Sequence, residues 1–308
     1  MNLLLGGLTR DAGAARRGRE RLAAAGAAAL ALAALAGCAP EDSADTATSP
    51  SASASASAAC TPDSMDTLKP GTLTIATGKP AYEPWFSDDD PSNGKGFESA
   101  VAYAVADELG YAKDEVTWTA ADFNAAIAPG DKPYDVNLQQ VSITDERRQA
   151  VDFSSGYYDV AQAFVTVKTS KAAGAKSIAD LARLKLGAAT GTTSYDAIVN
   201  VVKPAQQPAV FNDNDQAKLA LNNGQIDALA VDLPTALYLA AAELTGGVVV
   251  GQLPASGTAA EQFGFVLEKG SPLTACVSRA VDALRSDGTL AALQKQWLTD
   301  TAGAPVLS

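Results

Sequence analysis

Hydrophobic residues recur along this chain with two spacings, every second residue in some segments and every three to four residues in others. The first spacing predicts strands and the second predicts helices. Residues 71–77 alternate with a period of two and are rich in β-forming side chains, which predicts a strand. Residues 97–109 repeat apolar side chains at helical spacing and end at Gly110, which predicts a helix. Further strands are predicted at 116–119, 134–138, 161–168, 185–189, 209–211, 226–231, 248–251 and 263–268, and further helices at 123–128, 194–202, 215–223, 234–244, 273–286 and 290–298.

Strands and helices alternate in two successive runs, which predicts an α/β fold with two parallel-sheet lobes. The long strands 161–168 and 263–268 separate the runs, so we expect a two-strand hinge with a cleft between the lobes. The last two helices follow the second long strand and are expected to pack back on the first lobe. The expected boundaries are 60–163 plus 264–308 for lobe 1, and 164–263 for lobe 2 with the hinge strands at its ends.

The amino-terminal residues 1–37 have the pattern of a secretory signal peptide. Four arginines between positions 16 and 21 precede a run of Ala and Leu that is too short for a comfortable membrane span. The run ends in Leu-Ala-Gly-Cys at Cys38, which looks like the lipobox of bacterial lipoproteins. That resemblance implies acylation of Cys38 and a lipid anchor at the extracytoplasmic face of the cell membrane. The alternative is an ordinary signal peptide that contains a cysteine.

The segment after Cys38 and the two remaining cysteines complete the prediction for an exported protein. Residues 39–59 contain only Ser, Ala, Thr, Pro and acidic side chains, which cannot form a core, so 38–59 is predicted to be a flexible tether. Cys60 and Cys276 are expected to form a disulfide, because an exported protein is in an oxidising environment. Two free thiols are the alternative.

Composition excludes several classes of function. The first 37 residues contribute +3 to the formal charge of −12, which leaves −15 for the rest and disfavours binding to nucleic acid. The chain has no histidine, which excludes Ser-His-Asp and Cys-His catalysis and removes the commonest zinc ligand. Its three cysteines have unrelated spacings, so a thiolate zinc cluster is also excluded. We therefore expect no metal, no cofactor and no nucleic-acid partner.

Polar residues follow several predicted strands at their carboxyl ends, where open α/β sheets bind ligands. Arg147, one turn into a short helix, can hold a carboxylate through two hydrogen bonds, and Asp232 can pair with an ammonium group. Thr192 and Thr193 lie at a helix start and can add hydroxyl and backbone N–H groups to an anion site. Together these groups suit a zwitterion such as an α-amino acid. Two of them also have a structural alternative: a solvated surface position for Arg147 and a helix N-cap for Asp232.

Motifs between residues 71 and 298 resemble the family 3 extracellular solute-binding proteins, the amino-acid receptors of ABC importers. The motifs are LTIATGKPAYEPWF, GKGFESAVAYAVADELGY, VSITDERRQAVDFSSGYY, LGAATGTTS, NNGQIDALAVDLPTA and SDGTLAALQKQWL. The likeness is greatest to actinobacterial lipoprotein members for polar amino acids. It implies a type II periplasmic-binding-protein-like fold and a monomer that binds an amino acid between its lobes and delivers it to ABC permease subunits.

The resemblance also implies roles for individual residues. Arg147 would clamp the α-carboxylate of the ligand, and Asp232 would pair with its α-amino group. The other implied contacts are Ser142 and the backbone near Gln140 to the α-amino group, the backbone N–H of Thr144 to the carboxylate, Thr192 or Thr193 as the hydroxyl of the second lobe, and Tyr82 over the ligand side chain. Arg148 has no counterpart in the family, so we expect it to be solvated.

This chain departs from the family pattern at three places. Gly78 stands where the family often has Asp, which argues against a lysine or arginine ligand. Glu98 replaces the usual Asp, and we expect no consequence from that change. Gln139 and Gln140 replace the more common small residues, which suggests an amide lining and a polar ligand side chain.

Two other functions are compatible with the same fold. Some relatives are cyclohexadienyl dehydratases, which need a general acid in the cleft, and no carboxylate in this sequence is clearly committed to that role. Incubation with prephenate or arogenate would distinguish the two, because an enzyme would release an aromatic product. A ligand sensor would have to act through a partner protein, since only ten residues follow Leu298. We therefore expect a binding protein rather than an enzyme.

Overall fold

A computed structural model of the protein describes residues 60–255, 260–298 and 303–308. The predicted signal peptide, Cys38 and the predicted tether lie outside these residues. The described chain forms two five-stranded sheets and one two-stranded ribbon. Within it, no helix combines the length and the apolar character that crossing a membrane requires.

The predicted strands and helices are mostly confirmed to within a few residues. The strands are β1 (Leu73–Thr77), β2 (Val116–Ala120), β3 (Val136–Asn137), β4 (Val151–Phe153), β5 (Tyr158–Val160), β6 (Gln162–Val167), β7 (Leu186–Ala189), β8 (Ala209–Phe211), β9 (Ala228–Asp232), β10 (Gly247–Gln252), β11 (Glu261–Phe263) and β12 (Val266–Glu268). The helices are α1 (Phe97–Glu108), α2 (Phe123–Ile127), α3 (Arg147–Ala150), α4 (Ile178–Leu181), α5 (Thr193–Ala197), α6 (Asn214–Asn222), α7 (Leu233–Tyr238), α8 (Thr274–Ser286) and α9 (Thr289–Trp297). β4 and β5 were not among the predicted strands.

The first sheet has the strand order β2-β1-β3-β12-β4. β1 pairs in parallel with β2 and β3, whereas β12 runs antiparallel to β3 and β4. Helices α8 and α9 pack on α1, and buried side chains such as Val101, Val105, Val277 and Val281 belong to one hydrophobic cluster. The last helices therefore share the core of the first sheet, although the strands of the second sheet lie between β4 and β12 in the chain.

The second sheet has the order β10-β6-β9-β7-β8. β7 pairs in parallel with β8 and β9, and β6 runs antiparallel to β9 and β10. Its strands are buried on both faces by two hydrophobic clusters, one around Leu229 and Leu221 and the other around Phe164 and Leu186. In both sheets the parallel strands are those that the alternating pattern predicted, and each sheet additionally contains at least one antiparallel strand.

The two sheets are connected through the ribbon of β5 and β11, which pair antiparallel from Tyr158–Phe263 to Val160–Glu261. This connection lies a few residues before the predicted one, because β6 belongs wholly to the second sheet. The predicted strand 263–268 is interrupted at Gly264, where an added Cβ would lie 2.8 Å from Cδ1 of Ile143. The chain changes partners at this glycine: Phe263 pairs with Tyr158, and Val266 pairs with Phe153.

A disulfide joins Cys60 to Cys276, which is the first of the two alternatives that the sequence allowed. The two Cα atoms are 5.4 Å apart, and 216 residues of sequence separate the cysteines. Cys276 lies on α8 and is buried in the core of the first sheet. The bridge therefore fastens the beginning of the described chain to a helix near its end.

Replacing both cysteines, Cys60→Ser with Cys276→Ser, is expected to lower the free energy of unfolding by about 2–5 kcal/mol. The reason is that the bridge closes a long loop and so restricts the unfolded chain. Urea unfolding monitored by tryptophan fluorescence measures the change, with the reduced parent chain as the control. An unchanged midpoint would show that the bridge contributes nothing to stability.

Candidate functional site

A cavity of about 390 Å³ lies between the two sheets, at the carboxyl ends of β1, β7 and β9. Both lobes contribute to its wall, as expected for a cleft between two α/β units. The wall consists of Thr77, Gly78, Lys79, Pro80, Ala81, Tyr82, Phe86, Ala120, Ala121, Asp122, Phe123, Gln139, Gln140 and Arg147 from the first lobe, and Ala189, Thr190, Thr192, Thr193, Ser194, Asn212, Asp213, Asn214, Val231 and Asp232 from the second.

The guanidinium of Arg147 is the principal positive charge in this wall. Its side chain is only 9% exposed, its Nη1 donates to the carbonyl of Ser142 at 2.6 Å, and its Nη2 donates to the carbonyl of Gly191 at 2.9 Å. Burial lowers the pKa of Arg147, and the carboxylates of Glu261, Asp196, Asp232 and Glu146 oppose that change. A guanidinium has five N–H groups, so two bonds to carbonyls leave capacity for an anionic ligand.

The start of α3 explains why one arginine faces the cavity and its neighbour does not. The hydroxyl of Thr144 accepts a hydrogen bond from the backbone N–H of Arg147 at 3.1 Å, which fixes the beginning of the helix. Successive helical residues point in directions about 100° apart. Arg148 is accordingly exposed, with its guanidinium 5.8 Å from the ring of Phe153, as expected for a solvated residue.

Asp232 lies at the end of β9 and is one of three acidic residues of the cavity wall, with Asp122 and Asp213. Its Oδ1 accepts a hydrogen bond from Nε2 of Gln162 at 2.8 Å. Burial raises the pKa of Asp232 to about 8, and repulsion from Glu261 adds to this effect, whereas Gln162 and Arg147 act in the opposite direction. Asp232 does occupy the N-cap position of α7, but its side chain makes no capping hydrogen bond. The helix-cap explanation therefore does not account for this carboxylate.

The two threonines of the second lobe have different surroundings. The hydroxyl of Thr192 donates to the carbonyl of Ala189 at 2.8 Å and accepts from the N–H of Tyr195 at 3.2 Å, so it caps α5. The hydroxyl of Thr193 lies 3.2 Å from that of Ser142 and 3.3 Å from Nε2 of Gln162. Thr193 thus belongs to the polar network that spans the lobes.

Seven of the nine predicted ligand contacts line the cavity, and Ser142 and Thr144 do not. Ser142 is 1% exposed, and its hydroxyl donates to the carboxylate of Glu261. Thr144 lines a second cavity beside the ribbon. The seven that the structure brings together are Tyr82, Gln139, Gln140, Arg147, Thr192, Thr193 and Asp232.

The aromatic residues after β1 divide between core and cavity. Trp85 and Phe86 are buried, and Nε1 of Trp85 donates to the hydroxyl of Thr235 on α7 at 2.9 Å. Tyr82 lines the cavity, with its hydroxyl 3.5 Å from a carboxylate oxygen of Asp215 on α6. Burial, followed by the charge of Asp215, raises the pKa of Tyr82. Tyr82 and Trp85 therefore each contact the second lobe from the loop of the first.

Two residues beside the cavity, Gln162 and Glu261, were not predicted from the sequence, and Glu98, for which no consequence was expected, accepts a hydrogen bond from Gln140 in the wall. Nε2 of Gln162 lies 2.8 Å from Asp232 and 3.1 Å from Glu261, which links the two carboxylates. Gln162 is the cross-strand partner of Asp232 in the β6–β9 pair, so a correct strand register would have identified it. Glu261 follows a loop and carries no local pattern that indicates a site.

Contacts across the cleft show that the two lobes are closed on each other. Arg147 bonds to Gly191, Ser142 to Thr193, and Trp85 to Thr235, each pair joining the first lobe to the second. Gly191 adopts a φ of +71°, and an added Cβ would lie 2.3 Å from Oδ1 of Asn124. Glycine adopts this backbone conformation without strain, and a larger residue would also have to displace the side chain of Asn124.

The sequence model of the bacterial extracellular solute-binding proteins, family 3, matches residues 73–300. The chain belongs to this family. Among its relatives, the L-cystine-binding protein TcyJ of Escherichia coli is 29% identical over 229 residues, which cover 74% of this chain and 82% of that protein. The L-arginine-binding protein of Pseudomonas aeruginosa is 28% identical and covers 73% and 90% of the two chains.

Solved structures confirm the two-lobed fold of this family 3 protein. An ancestral arginine-binding protein bound to arginine has a TM-score of 0.61 and 32% identity, and it covers 74% of this chain and 98% of its own. The ancestral amino acid-binding protein AncCDT-1, a precursor of cyclohexadienyl dehydratase, has a TM-score of 0.61 and 30% identity, with coverage of 74% and 96%. The chain therefore has the type II periplasmic-binding-protein fold that the sequence predicted.

The contribution of Asp232 to the stability of the ligand-free protein is expected to fall as the pH rises from about 4 to about 8. Asp232 keeps its proton in the folded state until its pKa of about 8, whereas the unfolded chain loses it near 3.8. The folded state binds more protons in this interval, so raising the pH favours unfolding. Asp232→Asn removes this contribution. The free energy of unfolding of Asp232→Asn relative to that of the parent, measured by urea unfolding, should therefore rise from about pH 4 to about pH 8. Asp107→Asn, at an exposed position of α1, is the control, and parallel curves for Asp232→Asn and the parent would contradict the assignment.

Proposed function

We propose that this solute-binding protein is an extracytoplasmic receptor that binds the α-carboxylate and α-amino group of a polar amino acid and delivers it to an ABC permease. The observation that carries the proposal is that Arg147 and Asp232 line one closed cavity from opposite lobes. A zwitterion offers each of them the opposite charge. The named relatives, which bind amino acids, support the same class of ligand.

The charge balance of the cavity favours a ligand that carries an ammonium group. Asp232 and Glu261 repel each other across Gln162, and a buried carboxylate without a counter-ion is costly. An α-ammonium beside Asp232 would offset that repulsion, and the α-carboxylate would occupy the remaining N–H groups of Arg147. The two charged groups of the ligand would therefore complement Asp232 and Arg147.

The side-chain end of the cavity favours a polar, uncharged ligand group. An added Cβ at Gly78 would lie 2.6 Å from Nε2 of Gln139, so the amide of Gln139 occupies the space that a larger residue at position 78 would need. Relatives are named for L-cystine, histidine, arginine and glutamine, so membership of the family leaves the side chain open. Gly78 and Gln139 together argue for a polar side chain rather than that of lysine or arginine.

The dehydratase alternative has one supporting observation, the raised pKa of Asp232, because a general acid must hold a proton near neutral pH. The pairing of Asp232 with a ligand ammonium explains the same carboxylate without catalysis. The binding function therefore needs fewer assumptions, and incubation with prephenate and arogenate separates the two by the aromatic product.

A thermal-shift panel of the common amino acids should show a small group of polar ones that stabilise the protein. A ligand at a hundred times its Kd adds about 2.7 kcal/mol to the free energy of unfolding. Arg147→Ala should abolish the shift, because the α-carboxylate loses its partner. Arg148→Ala is the matched control and should keep it. A full shift in Arg147→Ala would remove this arginine from the binding site.

We also propose that Cys38 carries the lipid anchor of the receptor, on the basis of the Leu-Ala-Gly-Cys sequence at the end of the apolar run. Cys38→Ala is expected to move the protein from the membrane fraction to the soluble fraction after cell lysis, because the acyl chains supply the membrane affinity. Ser51→Ala, in the predicted tether, is the control. Retention of Cys38→Ala in the membrane fraction after cleavage of the signal peptide would contradict the anchor.

A further inference from the structure

Two of the departures from the family pattern contact each other in the folded protein. Glu98 lies in the first turn of α1 and is 0% exposed, whereas Gln140 lines the cavity. Oε1 of Glu98 accepts the backbone N–H of Gln140 at 2.7 Å, and Oε2 accepts the side-chain amide of the same residue. One buried carboxylate therefore holds both the backbone and the side chain of a residue in the cavity wall.

The backbone of Gln140 needs such a partner. Its φ is +50°, in the left-handed region that residues with a Cβ rarely adopt. A conformation of this kind persists only where neighbouring groups determine it, and here two hydrogen bonds from Gln140 converge on one carboxylate. Glu98 thus stabilises a turn that would otherwise be disfavoured.

The conformation of this turn affects the whole first-lobe side of the site. The turn directs Gln139 and Gln140 toward the cavity, and two residues later the carbonyl of Ser142 accepts Nη1 of Arg147. A shift of the backbone at Gln140 would therefore move both the amide lining and the support of the carboxylate clamp. Glu98 acts on the cavity only through these residues, since it does not line the wall itself.

The chemistry of Glu98 fits an anion in this position. Its third donor is the hydroxyl of Tyr157, so the carboxylate accepts from three uncharged groups. An ionised carboxylate only accepts hydrogen bonds. A protonated carboxyl group would place its own O–H donor next to the three groups that already donate to it. Burial raises the pKa of Glu98 to about 7, and the hydrogen bonds from Tyr157 and Gln140 act against that rise.

We propose that Glu98 is a positioning residue of the ligand site, which works with Gln140 as a matched pair and thereby sets the preference among ligand side chains. An aspartate at position 98 would be shorter by one methylene group, so its carboxylate would not hold both the backbone and the side chain of Gln140 as Glu98 does. Gln139 and Gly78 form a second matched pair, since the amide of Gln139 fills the space above the glycine. The inference rests on the proposed function for its ligand, but the positioning of the turn is testable without one.

A double-mutant cycle tests the pair. Glu98→Asp and Gln140→Ser should each raise the Kd for the preferred ligand about tenfold, and the double variant should be no worse than either single one, because both act through one contact. Titrations use L-glutamine, L-histidine, L-arginine and L-cystine, so that a change in the ratio of their affinities is visible. Strictly additive losses, or equal losses for all four ligands, would overturn the proposal.

Asp135→Asn is the control for a purely structural effect. Asp135 is also a buried carboxylate of the first lobe, and it accepts the backbone N–H groups of Leu68 and Thr74 at 2.7 Å each, away from the cavity. Its replacement should lower stability and leave the ratio of the four affinities unchanged. Where Glu98→Asp fails to fold, Gln140→Gly replaces it, because glycine tolerates the left-handed backbone and lacks the amide; an unchanged affinity ratio in Gln140→Gly would overturn the proposal.

Hydrogen exchange in the ligand-free protein gives a result that does not depend on the proposed function. Glu98→Asp should increase amide exchange of the segment 139–142 at least tenfold over the parent, and Asp135→Asn should not. Unchanged exchange in Glu98→Asp would overturn the positioning role even if amino acids bind. Faster exchange together with no binding of any of the four ligands by the parent would instead refute the proposed ligand class and leave the positioning of the turn established.

Discussion

The closed arrangement of this protein depends on one buried guanidinium. Arg147 donates to a carbonyl of its own lobe and to a carbonyl of the other, so a single side chain joins the two halves of the cleft. Nearby carboxylates, first that of Glu261, oppose the lowering of its pKa by burial. The other features of the site follow from this placement: the capped start of α3 aims the arginine, and the glycine at position 191 lets the second lobe reach it.

The acidic groups of the site form a network rather than isolated contacts. Gln162 shares its amide between Asp232 and Glu261, and Ser142 contacts Glu261 from the first lobe. Glu261 lies on the ribbon that connects the sheets, so the same network touches the connection, the first lobe and the cavity wall. A charged group of the ligand beside Asp232 would therefore change the electrostatic environment of Glu261, which lies on the ribbon that connects the sheets.

The sequence predicted the fold and most of the cavity wall, for identifiable reasons. Alternating periods located nearly every strand and helix, and the rule that ligands bind at strand ends selected Arg147, Thr193 and Asp232. Ser142 and Thr144 lie outside the wall of this cavity, because a motif gives the order of residues and not the direction of their side chains, and their ligand contacts stay predictions. The roles of Glu98, Gln162 and Glu261 depend on contacts between positions 32 to 119 residues apart in sequence, which no local pattern encodes.

The hydrogen bond from Arg147 to the carbonyl of Gly191 has a consequence for which substitutions this protein tolerates. Its acceptor is a main-chain oxygen, and no substitution at position 191 can delete that atom. What a substitution can do is strain the left-handed backbone at position 191 and displace the side chain of Asn124. This hydrogen bond between the lobes therefore does not require a polar side chain at position 191, but it is sensitive to any residue larger than glycine there. A homologue without the bond would be recognised by the replacement of this glycine and not by the loss of a polar side chain.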